Sequence, residues 1–459
     1  ENELFGGDED TLISAEEASS ENKSGLKFKA DLEKATLSLE SKKMRIGGSL
    51  SSSMGIDYAW VDPYSKKDDY LKSFKDGKGT FNTILNGSLF FDARPNENLK
   101  LYGKFLFGFP FEKSLSGALT VPKNSFGPLP PNDISLPIGV NGAVNISIRE
   151  LYTDFSLKDI AFFRFGKHAV KWGTGYFYSP ADVINISRID PQDPTADREG
   201  GISLRTHVII PKTQHNIWLY LLPPGKEDGE NGYDPKYTAG AAKGEFVVGN
   251  WELGFGGWYK YEKAPRLITT VSGSIAGKVA VFGEGVFAWG SDYTYYKADM
   301  SSYPEKNKPF FQATIGGSYS NADTNTSIAL QYFYNGFGYS NTDAVVSIFE
   351  QAKNPALLFD ASFKKKLQNG LAMGNIGQHY IALNISQNKL GTDKLSLNLF
   401  QQFAISELEG FSKLTLNWKI YKFASMSTGP SFSYPLSPSS KTKGQIGYSL
   451  SFRLGGGTF

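Results

Sequence analysis

Between Met44 and Trp60 the chain alternates. Met44, Ile46, Leu50, Met54, Ile56, Tyr58 and Trp60 share one parity, and Arg45, Ser49, Ser51, Ser53 and Asp57 share the other. Successive side chains of a strand point to opposite faces, so this segment reads as a strand between an apolar and a wet medium. Buried soluble strands seldom alternate so cleanly over such a length. A transmembrane barrel strand must, because it shows lipid one face and a polar lumen the other. The pattern recurs to the C-terminus and predicts an all-β chain, a transmembrane antiparallel β-barrel.

Turn chemistry sets the topology. Phe81 to Arg94 and Leu99 to Phe109 flank the tight link Pro95-Asn96-Glu97-Asn98. Leu267 to Ala276 and Val279 to Trp289 meet at Gly277-Lys278, a two-residue loop with glycine first, as a type II′ turn prefers. Ala161 to Trp172 reads as one continuous strand. The whole chain gives about eighteen strands, with sixteen as the alternative count, and an even number leaves both termini in the periplasm. The long connections, Val61 to Thr80, Pro110 to Ala143, Gly173 to Gly200, Pro223 to Lys236, Gly290 to Pro309 and Asn335 to Gly377, all fall on one side. They are therefore extracellular loops, and the short turns are periplasmic. Asp343 to Leu367 carries a helix-like spacing that suits a local cap on one loop.

Residues 1–43 differ from the rest. Glu1, Glu3, Asp8, Glu9, Asp10, Glu16, Glu17 and Glu21 make the first half an acidic, apolar-poor stretch, expected to be a periplasmic N-terminal segment before a barrel over 44–459. Leu26 to Leu39 fits a helix, a plug or an extra strand. The longest apolar run, Ile217 to Leu222, is far short of the roughly 20 residues a spanning helix needs. A membrane location thus requires a barrel, a mature N-terminus at Glu1 and a bacterial outer membrane.

Composition removes several function classes. The chain has no cysteine, so neither disulfides nor thiolate chemistry is available. A net charge of +2 argues against nucleic acid as a partner. His168, His207, His215 and His379 lack metal-ligand spacing, and no Ser, His and acid constellation suggests an enzyme. Asp182, Asp190, Asp193, Asp197 and Glu199 crowd one loop, where pairing with Arg188 and Arg198 is the expected arrangement rather than calcium. No cofactor or metal is implied.

Two motifs stand out. The chain ends in the alternating run Gln445 to Leu454 followed by Gly-Gly-Gly-Thr-Phe459, which resembles the closing strand of an outer-membrane barrel with its terminal aromatic. Phe459 falls on the opposite parity from Leu454, so a bulge at the glycines is expected. The second motif is Phe165-Gly166-Lys167-His168-Ala169-Val170-Lys171-Trp172-Gly173-Thr174-Gly175, continuing through Tyr176, Pro180, Asp182 and Asn185. Over about thirty residues it resembles a group of porin-like bacterial outer-membrane β-barrel proteins with a Trp-Gly pair and a Pro-x-Asp-x-x-Asn loop. The resemblance implies a porin-like role without a substrate. Glycines after Trp172 would let the strand bend, and Trp172, Gly173, Tyr176, Pro180, Asp182 and Asn185 would form a constriction loop. A purely structural corner is the competing interpretation.

On the lumen parity, Arg45, Arg94, Lys100, Lys104, Arg164, His168, Arg205 and His207 face Asp57, Asp92, Glu150 and Asp154, with Tyr102 and Tyr152 among them. Arg45, Lys104, Arg164, His168 and Arg205 are the expected pore-lining residues. A modest positive excess favours anions, unless these charges only pair across strands. The expected function is passive diffusion of small hydrophilic solutes through an outer-membrane channel. The expected partners are membrane lipids, the barrel-assembly machinery, solutes and, in a homo-trimer, further copies of the chain. A transporter of lipids or other hydrophobic molecules, and a surface adhesin or structural barrel, are the alternatives.

Overall fold

A computed structural model describes residues 44–61, 78–110, 134–136, 144–158, 160–196, 198–224, 234–297, 299, 301–351, 360–437, 440 and 444–458. The acidic segment 1–43, Asp197, Phe459 and most of the loops after Val61 and Pro110 lie outside the described residues. In chain order the strands are β1 (Met44–Val61), β2 (Lys78–Asn96), β3 (Leu99–Pro110), β4 (Ile134–Leu136), β5 (Val144–Leu157), β6 (Ala161–Lys167) and β7 (Ile202–Ile209). They continue as β8 (Asn216–Leu222), β9 (Ala239–Val248), β10 (Trp251–Tyr259), β11 (Arg266–Ile275), β12 (Val279–Trp289), β13 (Thr294–Tyr296) and β14 (Ser302–Pro304). The last are β15 (Pro309–Asn321), β16 (Thr326–Asn335), β17 (His379–Gln387), β18 (Leu395–Ala404), β19 (Glu409–Tyr421), β20 (Ala424–Pro435) and β21 (Gln445–Thr458).

Leaving out the short β4, β13 and β14, every strand pairs antiparallel with its neighbours, and β21 pairs with β1. Eighteen strands thus close a barrel, the larger of the two counts. Closure removes the sheet edge that lipid could not satisfy. At the seam the glycines do what their parity requires: the register shifts by one between Ser49 and Ser51, opposite Gly455 at φ +86°. Such a bulge exchanges the two faces beyond it.

Which face meets lipid is settled by exposure. Leu330 of β16 is 51% exposed while its neighbour Gln331 is fully buried, and Leu267 is 64% exposed beside a buried Ile268. The apolar parity faces outward throughout, the reverse of a soluble core. Aromatics concentrate near the two rims: Phe155, Phe246, Trp418, Tyr421 and Phe423 toward the short turns, and Tyr259, Tyr261, Trp289, Phe311 and Tyr448 toward the long loops. Amphipathic rings favour the membrane–water boundary, so these two belts mark where the bilayer begins and ends. No helix among the described residues is long and apolar enough to cross a membrane. Placing a charge in the band between the belts, as in Leu330→Arg, is expected to cost about 2–4 kcal/mol of folding free energy in lipid. Denaturant unfolding in vesicles measures this, and a loss below a few tenths would contradict the outward assignment.

Two local expectations are corrected. The hairpin between β11 and β12 has positive φ at both Ala276 (+53°) and Gly277 (+66°), with Lys278 donating its N–H to the Ile275 carbonyl (3.1 Å). That is a type I′ pattern centred one residue earlier than the type II′ turn, and its twist matches the flanking strands. The strand expected over Ala161 to Trp172 ends at Lys167, because the chain leaves the ladder and turns into the barrel. The outer cap over Asp343 to Leu367 is two helices, α1 (Asp343–Gln351) and α2 (Ala361–Met373). With the β13–β14 hairpin they enclose an aromatic cluster that includes Tyr295, Phe310, Phe337 and Tyr339.

Candidate functional site

The segment between β6 and β7 folds into the lumen and packs along one arc of its wall. Trp172 is buried edge-on against Tyr220 of β8 (5.0 Å between centroids), and its carbonyl accepts from Lys243 Nζ of β9 (3.0 Å). Further on, the Glu284 carboxylate of β12 accepts four donors: the Thr174 and Gly175 amides (2.5 Å each), the Ser179 hydroxyl (2.9 Å) and the Ala181 amide (2.9 Å). Gln331 of β16 reads the next turn, its Oε1 accepting from the Tyr176 and Phe177 amides (3.1 and 2.7 Å) and its Nε2 donating to the Tyr178 carbonyl (2.6 Å). Tyr178 then stacks on Phe333, and its hydroxyl accepts from Gln402 of β18 (2.9 Å). A loop placed in the barrel must satisfy its own backbone, and three wall side chains, Lys243, Glu284 and Gln331, contribute to that here.

The glycines serve close approach. A Cβ on Gly173 would lie 2.0 Å from Ser179 Oγ and 2.4 Å from Glu284 Oε1, and one on Gly175 would lie 1.9 Å from the Tyr178 carbonyl oxygen. Only hydrogen fits where the backbone hugs the carboxylate. The chain leaves the sheet earlier, after Lys167, so at Gly173 and Gly175 it is this contact that excludes larger residues.

The Pro-x-Asp-x-x-Asn portion closes the loop on itself. Asn185 Oδ1 accepts from the Val170 amide (2.8 Å) while its Nδ2 donates to the Val170 carbonyl and to Asp182 (2.8 Å). Asp182 also receives Arg198, the partner expected from sequence. Burial pushes the Asp182 carboxyl up, and the Arg198 guanidinium and the Asn185 amide oppose that. Arg188 goes elsewhere, to the Met373 carbonyl and the Tyr293 hydroxyl of the outer cap. Among the described residues no group of histidines and carboxylates is arranged to hold a metal. Pro180 is half-buried in the loop, and Tyr176 and Ile186 are its exposed large apolar side chains.

The opposite wall is charged. Adjacent strands place Arg45 opposite Asp92, Lys100 opposite Asp154, Asp154 opposite Arg164 and Arg164 opposite Arg205. Asp154 holds Arg164 in a fork (2.7 and 2.9 Å), and Asp92 lies 3.2 Å from Arg94 and 3.5 Å from Lys100. The cations also lie over rings: Arg164 over Tyr152 (3.9 Å), Lys100 over Tyr102 (5.2 Å), Arg45 over Phe90 (5.6 Å) and Arg205 over Trp218 (5.6 Å). Pairing and positive excess therefore coexist.

The five expected pore-lining residues divide. Arg45 is exposed, Lys104 and Arg205 are half-buried, and Arg164 and His168 are buried, His168 completely. Arg164 belongs to its fork and His168 packs edge-on to Tyr152, so neither presents its side chain to water. Sequence reasoning missed Glu284 and Gln331, and it missed the inward Lys413, Lys419 and Arg453. All five sit on the lumen parity of their strands, which was the available signal.

Fold and lumen together define a transmembrane β-barrel with an inward-folded, wall-anchored loop. No protein-family model matches the chain, and no curated relative matches it. Solved structures that align with it include OccK8 (OprE) of Pseudomonas aeruginosa, 9% identical with a TM-score of 0.47 over 90% of this chain and 98% of that one. OccAB1 of Acinetobacter baumannii is 12% identical with a TM-score of 0.46, covering 89% of this chain and 96% of that one. OmpF of Salmonella typhi is 8% identical with a TM-score of 0.42, covering 91% of this chain and 100% of that one.

Proposed function

We propose that this protein is a porin-like channel of a bacterial outer membrane, passing small hydrophilic solutes passively with a preference for anions. The observation that carries the proposal is the division of the lumen. The loop is anchored to one arc, from β8 to β18, through Glu284 and Gln331, while the facing wall carries charges of both signs with cations in excess. A loop held this way narrows a pore without sealing it, and basic residues along a water-filled path raise the local anion concentration. Membrane lipid covers the apolar outer face. Neither a cofactor nor covalent chemistry enters this function.

Reconstitution of the purified protein into planar bilayers tests it. Stepwise, ohmic current increments with a reversal potential displaced toward the anion equilibrium are expected. A barrel that carries no current and retains lipid through purification would overturn the channel in favour of a transporter of hydrophobic molecules.

A further inference from the structure

Three parts of the molecule meet at Glu407, in the short outer turn between β18 and β19. In that turn Ser406 Oγ accepts from the Gln378 and His379 amides (2.9 and 3.2 Å), and Glu407 Oε1 accepts from the Gly377 amide (2.9 Å) and the Tyr380 hydroxyl. Gly377 ends the outer cap and is bridged to Tyr339. Tyr380 lies against Tyr178 at the tip of the lumen loop, with ring centroids 5.9 Å apart. One carboxyl thus ties the turn to the end of the cap and to Tyr380 of β17, whose ring packs on the lumen loop.

Its other oxygen is the anomaly. Glu407 Oε2 is buried with no hydrogen-bond partner among the described residues. Among the described residues the ionisable groups that act on the carboxyl are Tyr380 of β17, Tyr178 of the lumen loop and Glu409 of β19, with Asp190 beyond Tyr178, and none of them is a cation. A buried carboxylate with a bare oxygen and no counter-charge is costly, whereas the neutral acid is far less so. A proton on Oε2 requires no space and removes the charge.

We propose that Glu407 is a proton-operated latch: protonated, it stays buried and holds Gly377 and Tyr380; deprotonated, it withdraws to water, frees both donors and loosens the cap with the lumen-loop tip beneath it. Burial is the largest influence on this group and pushes its carboxyl up to about 7, against the lowering pull of the Tyr380 and Gly377 hydrogen bonds. The ordinary value is 4.5, so the latched state holds an extra proton between 4.5 and about 7. Its stabilisation is complete below that window and is lost as pH rises through about 7.

Hydrogen exchange on the full chain in lipid vesicles, corrected for intrinsic rates, reads the latch without depending on conduction. Between about pH 6 and about pH 8.5 the amides of residues 376–380 are expected to lose protection about tenfold or more. Glu407→Gln, which imitates the neutral acid, is expected to stay protected at both values, and Glu407→Ala, which has no acceptor, to be unprotected at both. Equal protection of the native protein at the two values, or an unchanged step in Glu407→Gln, would overturn the latch. Bilayer recordings supply the functional arm, which rests on the channel proposal: current noise is expected to rise above about pH 7 in the native protein and not in Glu407→Gln. A protein that conducts nothing but shows the exchange step refutes the channel and leaves the latch intact.

Discussion

Glu284→Ala is expected to raise single-channel conductance and current noise while leaving the barrel assembled. The carboxylate is the shared acceptor for the Thr174, Gly175 and Ala181 amides and the Ser179 hydroxyl, all on the lumen loop. Hydrogen bonds to a charged group contribute about 1.5–3 kcal/mol each, and a buried donor left without a partner costs about 1–3 kcal/mol. Water entering the vacated site recovers part of that loss. Even so, a local destabilisation of about 3–5 kcal/mol remains, enough to populate a detached loop. The strands are unaffected, since β12 keeps its full ladders with β11 and β15. Glu284→Gln should fall between, because its amide retains one acceptor oxygen and turns an NH₂ toward the amides. Bilayer conductance and hydrogen exchange of residues 174–181 measure the effect. Native-like conductance with native-like protection in Glu284→Ala would remove Glu284 as the positioning residue of the loop.

How much of this was legible follows from what a period of two encodes. Alternation reports which side of a sheet a residue lies on, so the strand set, the outward face and even the bulge near Gly455 could be read from it. It does not report whether the chain still belongs to the sheet. Gly166 through Trp172 keeps an alternating pattern, yet Gly166 takes φ +132° and the segment beyond it leaves the ladder, with Val170 and Trp172 buried against the inner wall. An inner wall covered by a loop needs apolar residues just as an outer wall covered by lipid does, and the two produce similar strings of letters.

The loop motif was visible because its residue types are unusual, whereas its anchors were not. A single glutamate or glutamine on the lumen parity is ordinary in any barrel. Glu284 lies between inward Phe282 and Val286 along β12 and between the buried Thr270 and Thr314 across the ladder, a setting that the letters of one strand do not report. Arg164 shows the converse. Parity placed it on the inner face correctly, but only the register with Asp154 reveals that a buried fork absorbs its charge.

The second large effect concerns the charges that remain available. Arg45, Lys419 and Arg453 are exposed on the lumen parity of β1, β19 and β21, near the periplasmic ends of these strands. Lys419 pairs opposite Ser425, Ser425 opposite Arg453, and Arg453 opposite Ser53, so a hydroxyl rather than a carboxylate lies between Lys419 and Arg453, while Arg45 stands opposite Asp92, which also serves Arg94 and Lys100. Replacing all three by glutamate changes the lumen by six charges. For an ion passing about 10 Å away in water, each unit contributes about 0.4 kcal/mol before screening, reduced about threefold at 0.1 M salt. Summed over six units, and counted with opposite sign for anion and cation, this amounts to about 1–2 kcal/mol. The anion-to-cation permeability ratio should therefore fall about tenfold at 0.1 M salt and hardly at all at 1 M, where the screening length is about 3 Å. Reversal potentials under a salt gradient measure it. A ratio unmoved at low salt would mean that ions take a path past other side chains, and the assignment of the conducting wall to β19, β21 and β1 would have to be given up.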